Sequence, residues 1–144
     1  MEINIIVDNK RDERCDIVIH KMTPEIQNLI SQLQKLDYKL IGTKQEKKYL
    51  LVLDEIISIY ASNRKVYCLL DNTEEFLLGQ TIKMLSEELP NNFLQISNGE
   101  IINGKKISHF ELTYGGKIKI WFKSGRFSVS SRSYYKEIKE YLGI

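Results

Sequence analysis

Short apolar runs separated by polar turns dominate the chain from residue 49 onward, and this succession most constrains its fold. The runs are rich in Ile, Leu, Val, Phe and Tyr, which favour strands. Strands are predicted within 49–61 (broken near 54–55), at 65–70, 75–78, 94–97 and 100–102, and around two Gly-marked hairpins at 114–117 and 123–126. Short helices are predicted before Pro90 and over 131–142. The sequence therefore predicts a mainly β (α+β) fold with short helices.

The first 45 residues predict a separate β-β-α-β extension. Ile3, Ile5 and Val7 lie two residues apart within 2–7, as on one side of a strand, and 16–20 predicts a second strand. Thr23-Pro24-Glu25 is typical of a helix start, and 38–42 predicts a third strand. The polar stretch 43–48 is a linker candidate, which divides the chain into 1–45 and 46–144. A unit this small buries little, so we expect it to pack on the remainder or on a second copy, as a dimerisation or regulatory element.

Composition excludes several classes of protein. The chain has 144 residues, 42% apolar and 28% charged, as expected for a globular protein, and no apolar run is long enough to span a bilayer. No secretory signal is visible, which predicts a cytoplasmic protein. His20 and His109 are isolated, the two cysteines share no metal-binding spacing, and no Gly-rich phosphate loop occurs. We therefore predict no catalytic site, metal, cofactor or small-molecule substrate.

Positive charge is concentrated in the last third of the chain. The net charge is only +2, but nine Lys or Arg lie between residues 105 and 139, against two Glu. Just before them, the polar Ser97-Asn98-Gly99 separates two apolar runs within 93–103, an arrangement that buries both runs and turns Asn98 outward. A polar loop beside a basic surface indicates binding to an anionic polymer.

Residues 46–144 resemble the LytTR DNA-binding domain, which also occurs in standalone bacterial transcription regulators. The matching segments, in order, are 54–60 with the following polar turn, the helix from Thr81 to Pro90, 93–103, Ile107, and the hairpin ending at 127–132. The resemblance implies an elongated β domain whose loops enter successive DNA grooves. It also implies double-stranded DNA as partner, and we expect a homodimer.

The family's base-reaching positions fall on Asn63, Asn98 and Arg132. Asn can bond adenine and Arg guanine through two hydrogen bonds each. Asn103 matches a structural Asn of the family. The basic residues that we predict to contact phosphates are Arg64, Lys105, Lys106, Lys123 and Arg126.

Other interpretations of the same residues remain open. Turn chemistry alone explains an Asn at these positions, and the basic residues also suit a solvated surface. Trp121 and Tyr114 could stack on bases or pack between strands. Many family members have His and Ser around the position of Asn98, and this chain has Ser97 and Gly99. That difference and the small net charge favour an alternative function: a protein-interaction module that partners a membrane or signalling protein.

Overall fold

The computed structural model describes all 144 residues and contains ten strands in two antiparallel sheets and three α-helices. The predicted mainly β fold with short helices is confirmed. The strands are β1 (Leu40–Lys44), β2 (Lys47–Leu51), β3 (Ile56–Ser62), β4 (Lys65–Leu70), β5 (Glu75–Leu78), β6 (Phe93–Ser97), β7 (Glu100–Asn103), β8 (Ile107–Leu112), β9 (Ile118–Phe122) and β10 (Phe127–Val129). The helices are α1 (Pro24–Gln34), α2 (Ile82–Glu88) and α3 (Tyr135–Leu142).

Capping threonines fix the starts of α1 and α2. The Thr23 hydroxyl accepts a hydrogen bond from the Ile26 amide at 3.2 Å, and Pro24 occupies the first turn, so α1 begins where the sequence predicts. The Thr81 hydroxyl caps α2 in the same way through the Met84 amide at 3.1 Å. None of the helices is long and apolar enough to cross a membrane.

The larger sheet has seven strands in the order β2-β1-β5-β4-β3-β7-β6 and packs apolar side chains on both faces. One face lies against α2, which contributes Ile82 and Leu85 to the core together with Leu89, the residue directly after the helix. The other face lies against α3 and the smaller sheet, β10-β9-β8, which contributes a row of alternating apolar side chains from β9. The predicted apolar face of this strand is thus buried, and its polar face points outward.

The two strands predicted at 2–7 and 16–20 do not form. Ile3, Ile5 and Val7 are 78%, 85% and 95% exposed. Alternation of apolar and polar residues specifies which side of a strand is apolar, but a strand also needs a neighbour for its backbone groups. The protomer provides none for this segment. The predicted β-β-α-β extension is therefore reduced to α1 and β1.

The predicted linker at 43–48 is wrong as well. Gln45 and Glu46 form a tight turn with φ of +50° and +64°, which joins β1 to β2. Strand β1 also pairs with β5, so it is part of the larger sheet. The predicted division between residues 45 and 46 falls at the tip of this hairpin. The stretch is polar because the hairpin lies at the edge of the sheet.

Candidate nucleic-acid interface

Four connections meet at one end of the larger sheet, which we call the turn end. They are the β3–β4 turn at 63–64, the β6–β7 turn at 98–99, the β8–β9 turn at 113–117, and a 3-10 turn at Arg132–Tyr134. The Ala61 amide donates to the Gly99 carbonyl at 2.8 Å, which joins the first two. The Ser131 amide donates to the Ile96 carbonyl at 2.9 Å, which brings in the 3-10 turn. The predicted base-contact residues Asn63, Asn98 and Arg132 therefore lie at the same end of the molecule.

The β3–β4 turn exposes two polar side chains in a strained backbone. Asn63 and Arg64 have φ of +51° and +63°, as in the two-residue turns that match the twist of a hairpin. Asn tolerates this left-handed conformation, whereas a long side chain such as Arg costs roughly 1–2 kcal/mol there. Both side chains are exposed. The turn therefore projects an amide and a guanidinium side by side.

Asn98 is exposed at the tip of β6–β7, and its side chain is held in place. Its Oδ1 accepts a hydrogen bond from the Tyr134 hydroxyl at 2.9 Å. The Ser97 hydroxyl accepts from the Gly99 amide at 3.3 Å, which supports the turn itself. The Asn98 amide nitrogen makes no hydrogen bond within the protein, so it remains free as a donor toward a partner.

Arg132 begins the 3-10 turn that also carries Tyr134. Its side chain is exposed and lies over the β8–β9 turn, where a Cβ placed on Gly116 would be 3.7 Å from the Arg132 Cγ. It forms no ion pair within the protein. The unpaired Arg132 guanidinium, at the same end of the molecule as the Asn98 amide, provides donors for the acceptors of base edges and phosphates.

The basic residues predicted to contact phosphates are split between the two ends of the sheet. Only Arg64 lies at the turn end. Lys105 and Lys106 follow β7 at the opposite end, where their ammonium groups lie 3.3 Å and 2.6 Å from the carboxylates of Asp54 and Asp71.

Lys123 and Arg126 lie in the β9–β10 hairpin. The Lys123 amide donates to the Lys106 carbonyl at 2.9 Å, which places Lys123 at the opposite end too. Arg126 lines a cleft between the two sheets with Tyr60 and Glu75. Burial, then the hydrogen bond and charge of Glu75, raise the pKa of Tyr60 to about 12, and the Arg126 charge opposes this rise.

Three further cations occur at the turn end that the prediction of phosphate contacts omits: Lys65, Lys117 and Lys136. Lys65 follows the β3–β4 turn, Lys117 closes the β8–β9 turn, and Lys136 lies in the first turn of α3. All three are exposed and form no ion pair. The sequence signal for Lys65 and Lys117 is their position directly after a predicted turn.

Acidic residues are concentrated at the end of the sheet opposite the turn end. Asp54 and Asp71 bind the two lysines that follow β7, and Glu74 lies 3.7 Å from Lys44. Paired charges of opposite sign cancel at distances beyond a few ångströms. Three lysines at the opposite end are therefore neutralised by acids, although Lys47, Lys48 and Lys123 at that end form no ion pair, whereas none of the cations at the turn end is paired.

Two residues in the basic part of the chain have packing roles. Asn103 is fully buried: its Oδ1 accepts from the Lys105 amide at 3.0 Å and from Asn92 Nδ2 at 2.9 Å, and its Nδ2 donates to the Ile56 carbonyl at 2.9 Å. Trp121 packs between His109 and Phe127 on the outer face of the smaller sheet. Packing thus accounts for Trp121, whereas Tyr114 is fully exposed in the β8–β9 turn.

The LytTr DNA-binding domain family matches residues 46–143, about two-thirds of the chain. The chain belongs to the LytTR family. This confirms the predicted resemblance, and a LytTR domain is a DNA-binding domain rather than an enzyme. The solved LytTr DNA-binding domain of a methyl-accepting/DNA response regulator from Bacillus cereus has the same fold, with a TM-score of 0.69, 14% identity, and coverage of 74% of this chain and 97% of that one.

Relatives of the LytTR chain extend over its whole length. Uncharacterized HTH-type transcriptional regulators of Staphylococcus aureus strains NCTC 8325 and MW2 are 29% and 30% identical over 147 residues, covering 100% of this chain and 99% of theirs. The three α-helices of the present LytTR chain are each separated by strands, so they form no helix-turn-helix. Because the relatives cover the whole chain, they also share residues 1–45, which precede the family match.

Proposed function

We propose that the protein is a transcription regulator that reads specific sites on duplex DNA with its turn end, as a homodimer on paired half-sites. The observation that carries this proposal is the meeting of four connections at one end of a LytTR domain, with five exposed and unpaired cations among them. The S. aureus relatives are named as transcriptional regulators, which supports the regulatory role.

Turns suit this task because their side chains project beyond the sheet into a groove, while backbone amides and cations nearby contact phosphates. Asn63 and Asn98 provide amides for adenine, and Arg132 provides a guanidinium for guanine. We assign phosphate contacts to Arg64, Lys65 and Lys117, and not to Lys105 and Lys106, because aspartates already neutralise that pair.

The test begins with duplexes selected by the protein from a random-sequence pool, followed by fluorescence anisotropy on a selected duplex and its scrambled control. Replacing Arg132 with Ala is expected to weaken binding to the selected duplex by roughly 1–3 kcal/mol, about 5- to 150-fold, and the scrambled duplex much less. Replacing Lys117 with Ala is expected to weaken both duplexes alike and to reduce the log-log salt slope by about 0.9.

Lys105→Ala is the matched control, since it removes the same charge at the opposite end and should leave both affinities unchanged. If Arg132→Ala preserved the ratio of the two affinities, the base contact would be refuted. If Lys105→Ala weakened binding as much as Lys117→Ala, the turn end would not be the interface.

A second candidate function is a protein-interaction module for a membrane or signalling protein. One observation favours it: none of the first 39 residues is buried, although they include apolar side chains such as Ile3 and Ile5. This function predicts weak binding to any duplex, lost at physiological salt, and no enriched sequence in the selection.

A further inference from the structure

Strand β2 is an exposed edge of the larger sheet. It pairs with β1 on one side only, so its outer backbone N–H and C=O groups have no partner in the protein. Its side chains are also uncovered: Leu50 is 71% exposed, and Ile41, directly across from it on β1, is 48% exposed. The smaller sheet covers the far part of the larger sheet and does not extend to this edge. An apolar strand edge of this kind is a template for a further strand.

Residues 2–7 have the complementary properties. Ile3, Ile5 and Val7 lie two residues apart, on one side of a strand, while Ile6 lies on the other side with Glu2 and Asn4; all four apolar side chains are exposed. Helix α1, which follows, also has no buried residue. The segment thus has the side chains of a strand but no sheet to join within its own protomer.

The charges of the two elements are opposite. Residues 1–9 carry Glu2 and Asp8 and no Lys or Arg, and Asp8 forms an exposed ion pair with Arg11 at 3.1 Å. Residues 39–48 carry Lys39, Lys47 and Lys48 without an ion pair, against Glu46, while Lys44 is paired with Glu74. Because an acid lies at each end of the segment, either strand direction brings one of them beside Lys47 and Lys48.

We propose that residues 2–7 of one protomer add as a strand to β2 of a second copy, and that the exchange is reciprocal. A two-fold axis then buries two N-terminal segments and two β2 edges in one isologous interface. The interface deepens the proposed homodimer and rests on that part of the proposed function. It is tested without DNA, so failure of DNA recognition and failure of this interface give different results.

The experiment is a charge swap on the full chain, followed by sedimentation velocity over a range of concentrations. One variant carries Glu2→Lys and Asp8→Lys, and the other carries Lys47→Glu and Lys48→Glu. Each homodimer would place like charges together at both copies of the interface, so we expect the dimer dissociation constant to rise about tenfold or more. A dimer of one variant with the other pairs opposite charges at both copies of the interface. An equimolar mixture of the two variants is therefore expected to regain a one-to-one dimer.

The matched control for the Lys47→Glu and Lys48→Glu variant is Lys83→Glu with Lys123→Glu, which makes the same change in net charge on exposed lysines outside β2. This control is expected to stay dimeric. Two swap variants as dimeric as the wild type, or a mixture that stays monomeric, would overturn the proposal. A monomeric wild type would overturn it too. If the β2 amides of that monomer were protected from hydrogen exchange, residues 2–7 would pair with β2 of their own protomer.

Discussion

Arg64 offers a test in which stability and DNA binding are expected to change in opposite directions. The residue has a φ of +63° in the β3–β4 turn, a conformation that costs a non-Gly residue roughly 1–2 kcal/mol. Glycine removes this cost but adds about 0.5–1 kcal/mol of backbone entropy to the unfolded chain. Arg64→Gly should therefore raise the free energy of unfolding by up to about 1.5 kcal/mol, with a central value of about 0.75 kcal/mol, which corresponds to a rise of about 3 °C in melting temperature.

The same substitution should weaken DNA binding, because it removes one proposed phosphate contact. Salt-dependent anisotropy is expected to give a log-log slope smaller by about 0.9, with equal losses on selected and scrambled duplexes. A variant that is more stable and yet binds less tightly cannot be explained by partial unfolding. This separates a contact with DNA from a defect in folding.

Thr73→Gly is the control for backbone strain. Thr73 has a φ of +69° in the β4–β5 turn at the opposite end of the sheet, and its replacement changes no charge. It should stabilise the fold at least as much as Arg64→Gly and leave the salt slope unchanged. An unchanged slope in Arg64→Gly would refute the phosphate contact, and a loss of stability in both variants would refute the reasoning from strain.

Three further substitutions address the core, the site and the cleft. Asn103→Ala removes the hydrogen bonds of a fully buried amide and leaves the Ile56 carbonyl without this donor. Urea unfolding should therefore show a free energy of unfolding lower by about 3 kcal/mol, and a decrease below about 1 kcal/mol would contradict the structural role of Asn103. Tyr134→Phe removes the hydrogen bond that holds the Asn98 side chain. In anisotropy titrations, the preference for the selected duplex over single-base variants should fall about 2- to 10-fold, with no change in melting temperature. An unchanged preference would mean that this hydrogen bond does not position Asn98. Burial raises the pKa of Glu100, so its ionised form destabilises the native state. Glu100→Gln should be more stable than the wild type at pH 7 in urea. This difference should shrink as the pH falls below the raised pKa of the native state and vanish below the ordinary pKa of 4.5; a difference independent of pH would contradict the assignment.

The strands and turns from residue 56 onward could be predicted from the sequence because each boundary has its own local signal. The polar pair at 63–64, the glycines at 115–116 and 125, and the alternation in β9 all agree with the tertiary structure. The meeting of Asn63, Asn98 and Arg132 was implied only by the family resemblance, since it depends on which strands are neighbours in the sheet.

The assignment of Lys105 and Lys106 to the same surface as Asn98 illustrates what the sequence conceals. These lysines follow Asn98 closely along the chain, but β7 lies between them, and its four residues carry the chain roughly 13 Å across the sheet. Asn98 and the two lysines are therefore close in sequence but lie at opposite ends of the sheet. Their aspartate partners come from turns about 35 and 51 residues away, which no local pattern indicates.

The arrangement of charge explains how a chain with a net charge of only +2 could still recognise an anionic polymer. Ion pairs neutralise three of the lysines at one end of the larger sheet, Lys44, Lys105 and Lys106. At the other end Arg64, Lys65, Lys117, Arg132 and Lys136 all stay unpaired. A low net charge limits attraction between DNA and the remaining surface, and the asymmetry orients the molecule as it approaches. The unpaired charge on one surface is therefore the property that should govern DNA affinity. Reversing Asp71 to Lys would add positive charge at the wrong end, and on this reasoning it should increase binding to scrambled DNA more than to the selected site.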